Sequence, residues 1–377
     1  MRRILASLTV LALLTPPPVT AQEPDTSCAA VLPAPGPAPQ FALGDTHRIA
    51  RGEGVRVAVI DTGVADHPQL APVDPVADLV APATPDPLLD CDGHGTVVAG
   101  VIREVAPGAT ILSVRQSSAH YRQPDADSAG TLASLADAIH AALDAGAQVL
   151  NISVVSCVPA DQAALLDAAV LDHALLRAEE QGVVVVSASG NNGGACLPGA
   201  VVYPAHSPTV LPVAARHADD PHSLAEYSLP ADNVLSAPGR VTTGVSPSGD
   251  GWAAGMVTAQ GQEVAFEGTS FAAPVVTGVA ALLRQRHPGD SAAQLRERIR
   301  QAAEPSHGAV DPHTALTHLP GAYITEPRQV AAAAPTPEDP AAGQRAITLL
   351  ATLAALVLGG TLLGRVSAPG RSPRRTG

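Results

Sequence analysis

Short apolar segments alternate with longer segments of helical periodicity, and this alternation constrains the fold more than any other feature of the chain. The apolar segments are residues 55–60, 110–115, 148–154 and 183–186; the helical segments are residues 94 to about 103, 128–144 and 161–181. Strands that are apolar on both faces and interleaved with helices are typical of a parallel sheet covered on both sides. The sequence therefore predicts an α/β fold.

Composition excludes several functional classes. The chain has 377 residues, of which 46% are hydrophobic and 2% aromatic, so its core must be built from Ala, Val and Leu. All 22 basic residues are arginine, which excludes chemistry that needs lysine, such as Ser-Lys dyads, Schiff bases and the P-loop. The net charge of −13 disfavours a nucleic-acid-binding surface, so no nucleic-acid partner is expected.

The N-terminus has the pattern of an export signal. Residues 1–21 begin with two arginines, continue with an apolar run over residues 4–14 and end in small residues before Gln22. This pattern predicts a secretory signal peptide, because the apolar run is too short to span a bilayer and three prolines end it.

The C-terminus has the pattern of a membrane anchor. Residues 346–364 are a run of 19 residues without a charge, bounded by Arg345 and Arg365. Its length predicts a membrane-spanning helix. The arginines of the tail, residues 365–377, predict that this tail is cytoplasmic and that the folded part of the chain lies outside the membrane.

Composition also divides the remaining chain. Residues 22–50 are rich in Pro and Ala and lack periodicity, so they are expected to form an extended arm rather than a helix or strand. Residues 51–320 carry the strand and helix pattern and form the predicted folded domain. Residues 321–345 are again rich in Pro and Ala and are predicted to be a linker.

The four cysteines, Cys28, Cys91, Cys157 and Cys196, most simply form two disulfides in an exported chain, although three pairings are open. We favour Cys28 with Cys91, which would fasten the arm, and Cys157 with Cys196, which would join two loops. No paired His/Cys spacing accompanies Cys91, so no metal site is expected there. We expect no cofactor, and we find no dense acidic loop that would specify a calcium site.

A serine lies where a helix is predicted to begin. Gly268-Thr269-Ser270 precedes a long apolar run, which predicts Ser270 in the first turn of a buried helix. The free N–H groups and the helix dipole at that point favour negative charge. Pro274 is expected in the first turn as well, where a proline loses only an N–H without a helical partner. A simple Thr/Ser cap on a core helix is the alternative interpretation.

Two further segments supply partners for this serine. Asp61 ends the first predicted strand, and His94, within Asp92-Gly93-His94-Gly95-Thr96, opens a helix. A serine hydroxyl needs a base whose pKa is near 7, which His94 can provide, and the base needs an acceptor such as Asp61 to fix its tautomer. Strand ends and helix starts meet at one edge of a parallel sheet, where these groups can converge.

These motifs, in the order Asp, His, Ser, resemble those of subtilisin-like serine proteases, the subtilases. The resemblance runs from about Gly52 to Leu319 and implies a mainly parallel seven-stranded sheet with Asp61, His94 and Ser270 as catalytic residues. It also implies that the side chain of Asn191, in Gly190-Asn191, donates to the oxyanion.

One segment departs from the subtilase pattern. Where the family usually has Ser-Leu-Gly-Gly beside the primary specificity pocket, this chain has Ser153, Val154, Val155 and Ser156. Residues 153–155 are the expected substrate-binding segment. A branched Val155 in place of glycine is expected to narrow that edge of the pocket and to hinder an extended peptide, so the substrate preferences of the family are not carried over.

The complete arrangement resembles one branch of subtilases, the mycosins of type VII secretion. Signal peptide, disulfide-bound arm, protease domain, Pro-rich linker and C-terminal helix carry this resemblance. It implies a membrane-anchored extracytoplasmic endopeptidase with protein or peptide substrates and a partner in the secretion membrane complex. Two alternatives stay open, namely a structural component that stabilises that complex and a general degradative protease located at the cell surface.

Overall fold

The computed structural model describes residues 28–120, 129–229, 231–258, 261–319 and 340–366. The predicted signal peptide, residues 22–27 of the arm, residues 321–339 of the linker and the tail after residue 366 lie outside the described residues. The chain divides into two compact units at Pro320 and Gly321, and each unit is described separately.

The described residues form strands and helices, numbered in chain order. The strands are β1 (Ala30–Ala34), β2 (Arg56–Asp61), β3 (Val73–Asp78), β4 (Thr110–Arg115), β5 (Val149–Ile152), β6 (Ser156–Val158), β7 (Val184–Ala188), β8 (Val201–Tyr203), β9 (Val210–Arg216), β10 (Leu235–Pro238), β11 (Arg240–Val241), β12 (Gly244–Val245), β13 (Trp252–Val257), β14 (Glu263–Val264) and β15 (Phe266–Glu267). The helices are α1 (Gly44–Ile49), α2 (His94–Val105), α3 (Leu132–Asp144), α4 (Ala160–Ala163), α5 (Ala169–Glu180), α6 (Thr269–Arg286), α7 (Ala292–Ala302), α8 (Pro312–Thr317) and α9 (Pro340–Val366).

The central sheet has seven strands in the order β10-β9-β7-β5-β2-β4-β3. Each pair of neighbours in this sheet is parallel. At its centre, Ala58 of β2 lies opposite Leu112 of β4 and Leu150 of β5. The predicted subtilisin-like α/β fold with a seven-stranded parallel sheet is thereby confirmed.

Alternate residues of β2 supply the two cores of the domain. Val57 and Val59 belong to a core that also contains residues of α2 and α6, whereas Ala58 and Ile60 belong to a core that contains residues of α3 and α5. Successive side chains of a strand point to opposite faces, so one strand that is apolar throughout requires helices on both sides. This arrangement is the three-layer structure that the alternating sequence predicted.

Both favoured disulfides are present. Cys28 is bonded to Cys91, and Cys157 is bonded to Cys196. The first fastens the start of the described arm to the loop before α2. The second joins Cys157, which lies in β6 rather than in the expected loop, to Cys196 in the segment before β8.

The arm is not merely extended, and that prediction was wrong for two segments. Residues 30–34 form β1, which pairs antiparallel with β13, and residues 44–49 form α1. Val31 and Phe41 pack against the main core. The sequence did not predict these contacts, because the apolar residues of the arm are scattered among prolines and show no periodicity.

The prediction of a single helix over residues 161–181 was also wrong, because the segment is divided into α4 and α5. There the Asp167 carboxylate accepts the N–H of Ala169 at 3.0 Å, a local bond that competes with helix continuation.

The second unit contains α9, a helix over the residues for which the sequence predicted one. Within the part of the chain that the structure describes, no helix is both long and apolar enough to cross a membrane. The assignment of residues 346–364 as a membrane-spanning helix stays a prediction.

Candidate active site

Asp61 and His94 form a hydrogen-bonded pair at the carboxyl edge of the sheet. Asp61 is the last residue of β2 and is fully buried, while His94 is the first residue of α2 and leaves 27% of its side chain exposed. His94 Nδ1 lies 2.6 Å from Asp61 Oδ1. The ring therefore has one nitrogen held by a carboxylate, and the exposed part of the side chain leaves it within reach of a bound molecule.

Gly63, just after β2, and Gly95, in the first turn of α2, allow these two elements to approach each other. A Cβ on Gly95 would lie 2.1 Å from the carbonyl oxygen of Gly63 and 3.1 Å from Cβ of Asp61. No side chain fits in that space. The close approach of these atoms therefore requires a residue without a side chain at position 95, directly after His94.

The electrostatic surroundings of His94 favour its charged form. Burial lowers the pKa of His94, but the charge and hydrogen bond of Asp61, with the charges of Asp90 and Asp92, raise it more. The net result is a pKa above the ordinary value. A histidine in this environment can hold a proton that it has taken from a neighbouring hydroxyl.

Ser270 is the second residue of α6, and its position corrects the prediction for Pro274. Because α6 begins at Thr269, Pro274 is the sixth helical residue and lies beyond the first turn. Its missing N–H leaves the carbonyl of Ser270 without a helical donor. The hydroxyl of Ser153 donates to that carbonyl at 2.8 Å, and the amide of Asn151 donates to the same hydroxyl at 2.9 Å.

Asn191 follows β7 and is held by Thr269. Its Oδ1 accepts the Thr269 backbone N–H at 2.9 Å and the Thr269 hydroxyl at 3.0 Å. With the oxygen used in this way, the amide nitrogen is free to donate elsewhere. A Cβ on Gly268 would approach that nitrogen to 2.8 Å, so the glycine before Thr269 leaves room for the amide.

Two clefts meet at His94. One, of about 240 Å³, is lined by His94, Asn191, Ser270 and Phe271 together with apolar residues of β13 to β15. The other, of about 460 Å³, is lined by His94, Thr62 and the segment 153–156. The structure thus brings His94, Ser270 and Asn191 to one cleft, places Asp61 behind His94, and puts the three predicted substrate-binding residues in the adjoining cleft.

Val155 is half-buried and lies at the junction of two groups of apolar side chains. It packs against the main core and against a small cluster of Val202, Ala205 and Leu229, against which Cys157 and Cys196 also pack. A glycine at this position would leave that space empty. The branched side chain therefore occupies volume next to the segment that was expected to bind substrate.

The sequence alone did not reveal the residues that support this site. Asp90, Asn151 and Thr269 are buried or hold a site residue through a hydrogen bond, yet none was expected to take part in the chemistry. The sequence contains one signal that could have identified Asp90, since this carboxylate lies only four residues before His94. Among the described residues, no group of three or more His, Cys, Asp or Glu side chains could hold a metal ion.

Comparison with known proteins places the chain in a family. The subtilase family model matches residues 52–327. Mycosin-4 of Mycobacterium tuberculosis (strain ATCC 25618 / H37Rv) is 37% identical over 365 residues, covering 83% of this chain and 79% of the relative.

Two solved structures extend the comparison. The MycP3 protease from the type VII (ESX-3) secretion system has a TM-score of 0.70 at 34% identity, covering 83% of this chain and 100% of that chain. A chain of an intact ESX-5 inner membrane complex has a TM-score of 0.71 at 30% identity, covering 92% and 95%.

The parallel sheet, the hydrogen bond between Asp61 and His94, and the cleft that His94 and Ser270 share are the features expected of a subtilisin-like hydrolase. The chain belongs to the subtilase family and is a serine protease. Within that family it is similar to the mycosins over most of its length, so the resemblance found in the sequence is confirmed.

Proposed function

We propose that this chain is an endopeptidase in which Ser270, His94 and Asp61 act as the catalytic residues. The observation that carries the proposal is the 2.6 Å hydrogen bond between His94 Nδ1 and Asp61 Oδ1 in a cleft that Ser270 also lines. A carboxylate on Nδ1 directs the basic Nε2 of the ring to the open side.

Each group has a defined part in the reaction. The Ser270 oxygen attacks the carbonyl carbon of the scissile bond while His94 takes the hydroxyl proton. The resulting oxyanion accepts hydrogen bonds from the Ser270 backbone N–H and the Asn191 amide. His94 then gives its proton to the leaving amine, and a water molecule hydrolyses the acyl-enzyme by the same steps in reverse.

The clefts on the two sides of His94 support an extended peptide as substrate. The cleft at residues 153–156 is the proposed site for the part of the substrate that stays bonded to Ser270. Val155 fills space beside it, so we propose that small residues are preferred before the scissile bond.

A secretion-associated setting is part of the proposal. Mycosin-4, the MycP3 protease of the type VII (ESX-3) secretion system and the ESX-5 inner membrane complex support it by similarity. We propose that the chain acts outside the cytoplasm, at the membrane, with such a complex as partner. The uncharged run of residues 346–364 and the exposed Leu349, Leu353 and Leu356 of α9 support attachment through this segment.

The catalytic proposal is tested with a fluorophosphonate probe, which reacts with activated serines. Wild-type protein should be labelled and should cleave a substrate protein, whereas Ser270→Ala should do neither. Ser306→Ala serves as control, because it removes an exposed hydroxyl that lines neither cleft. Equal cleavage by Ser270→Ala would remove the catalytic assignment.

Similarity to a chain of a membrane complex favours a second candidate, a structural role in that complex. Complementation of a deletion strain with Ser270→Ala distinguishes the two candidates. Restored secretion would favour the structural role, whereas failure with normal protein levels would favour the protease. Broad digestion of unfolded casein would instead point to a general degradative protease.

A further inference from the structure

A buried carboxylate lies next to the catalytic pair but reaches neither cleft. Asp90 has only 7% of its surface exposed and is absent from the lining of both clefts at His94. Its Oδ2 accepts the backbone N–H of Thr96 at 2.8 Å and the Thr96 hydroxyl at 2.6 Å. Its Oδ1 accepts the N–H of Gly93 and the hydroxyl of Thr62, each at 2.8 Å.

Three of these four bonds come from residues that flank His94 in the sequence. Gly93 immediately precedes His94, Thr96 follows it by two residues, and both backbone N–H groups are directed to the one carboxyl. The first turn of α2 is therefore fixed from outside the helix, at a point where its N–H groups have no helical acceptor.

The Thr62 hydroxyl connects Asp90 to Asp61. It lies 2.8 Å from Asp90 Oδ1, accepts the N–H of Gly95 at 3.0 Å and lies 3.3 Å from Asp61 Oδ1. A hydroxyl has a single proton. While the hydroxyl donates this proton to Asp90, it cannot donate to Asp61. Asp61 Oδ1 then accepts the Thr62 N–H and bonds to His94 Nδ1.

We propose that Asp90 is a positioning residue for the Asp61–His94 pair: its carboxylate fixes the first turn of α2 and withdraws the Thr62 hydroxyl proton from Asp61. The inference rests on the proposed function, because the geometry it maintains is that of the catalytic base. Asp90 acts through Thr62 and α2 and does not contact substrate.

The charge state of Asp90 makes this role sensitive to pH. Burial and the charge of Asp61 raise the pKa of Asp90, and its hydrogen bonds to Thr96 and Thr62 lower it. Burial is the largest of these effects, and the resulting pKa is about 6. Below that pH, Asp90 carries its own proton and can donate to Thr62, whose hydroxyl proton can then turn to Asp61. Above it, the Asp90 charge, with those of Asp61 and Asp92, raises the pKa of His94.

Asp90→Asn is the principal test, since an amide keeps the size but loses the charge and presents N–H groups to donors. We measure the rate of fluorophosphonate labelling against pH, together with kcat and KM for a peptide that the wild type cleaves. We expect the plateau labelling rate and kcat to fall about 10- to 100-fold because the base is displaced. KM should change little, since Asp90 does not line the clefts.

Two further variants separate positioning from general damage. Thr62→Val removes the connecting hydroxyl and leaves the other three bonds of Asp90, so it should reduce kcat. Thr62→Ser keeps the hydroxyl, so its kcat should be close to that of the wild type. This pair also decides the matter if Asp90→Asn fails to fold. Equal kcat in Thr62→Val and wild type would overturn the proposal.

A measurement without catalysis keeps this inference distinct from the proposed function. The far-downfield proton resonance of the His94–Asp61 hydrogen bond is followed against pH in Ser270→Ala protein with and without Asp90→Asn. We expect the His94 titration to move to lower pH when the Asp90 charge is lost. An unchanged titration would contradict the inference, while absent labelling of the wild type would contradict only the function.

Discussion

The hydroxyl of Ser153 donates to the backbone carbonyl of Ser270 across 2.8 Å, and this contact joins the end of β5 to the start of α6. The carbonyl needs an external donor because Pro274, four residues later in the helix, has no N–H. The Ser153 hydroxyl is in turn held by Asn151, whose oxygen accepts the Thr277 hydroxyl at 2.8 Å. The backbone of Ser270, the proposed nucleophile, is thus fixed by β5 and the residue that follows it.

Ser153→Ala should destabilise the protein and slow acylation, because the part-buried carbonyl of Ser270 would lose its donor. We expect the free energy of unfolding to fall by about 1–3 kcal/mol, measured by urea denaturation. Ser156→Ala, also in the cleft, is the matched control and should change it little. Adding Pro274→Ala to Ser153→Ala should recover part of the loss, since residue 274 could then donate to Ser270. If the double variant recovers nothing, the carbonyl is not the cause.

Loss of the Asn191 amide should reduce the rate of the chemical step more than it reduces binding. Asn191→Leu keeps the approximate shape but cannot donate, and removal of one oxyanion donor typically lowers kcat by about 10²- to 10³-fold. Steady-state kinetics should show this fall in kcat with a small change in KM. Asn192→Leu, at the neighbouring exposed position, should leave kcat near that of the wild type.

The sheet, and the positions of Asp61 and His94 at its edge, could be predicted from sequence because both have local signals. Residues 110–115 form β4 as predicted, since a strand buried on both faces is apolar throughout. His94 begins its helix as predicted, because glycines mark the close approach of backbone around it.

The supporting contacts could not be predicted, because they join residues far apart in the chain. Asn151 is one more residue of an apolar strand in the sequence, and its bond to Thr277 crosses 126 positions. Asp90 lacks any local sign that it is buried. Pro274 was placed in the first turn because the sequence does not show that Ser153 would supply the missing donor.

The activity should rise with pH through the pKa of His94, since only the neutral ring can accept the Ser270 proton. Burial lowers this pKa, but Asp61 and its neighbours raise it by more, so the net shift is upward. The increase in activity should therefore be centred above pH 6.5, the ordinary histidine pKa. Asp61→Asn removes the largest of the raising causes. Its kcat/KM profile should have its acid limb at lower pH, with a plateau reduced by about 10⁴-fold as for other triads. An acid limb that does not move would show that Asp61 leaves the His94 pKa unaltered.

Gly95→Ala should prevent the correct placement of His94. The added Cβ would lie 2.1 Å from the Gly63 carbonyl oxygen, a separation that requires β2 and α2 to move apart. We expect loss of fluorophosphonate labelling and a lower melting temperature. Gly289→Ala is the control, because a Cβ there meets nothing within 4 Å, and it should behave as the wild type.

Val155 should limit the size of the residue that precedes the scissile bond. Its side chain packs on Val202 and its cluster neighbours, so Val155→Gly would vacate volume beside the cleft of residues 153–156. Peptides that differ only in that substrate residue, from alanine to phenylalanine, should be compared by kcat/KM. We expect Val155→Gly to favour the larger residue by about 10- to 200-fold relative to wild type, the range that one or a few methylene groups provide in an apolar pocket.

The same substitution should also lower the free energy of unfolding, because it opens a cavity in the apolar cluster. Val154→Gly is the matched control for backbone freedom, since it adds a glycine to the same segment but leaves Val155 in place. If both variants change the preference equally, flexibility of the segment is responsible. If only Val155→Gly does so, the volume of this one side chain sets the limit, which explains how a subtilase can keep its catalytic geometry while narrowing its range of substrates.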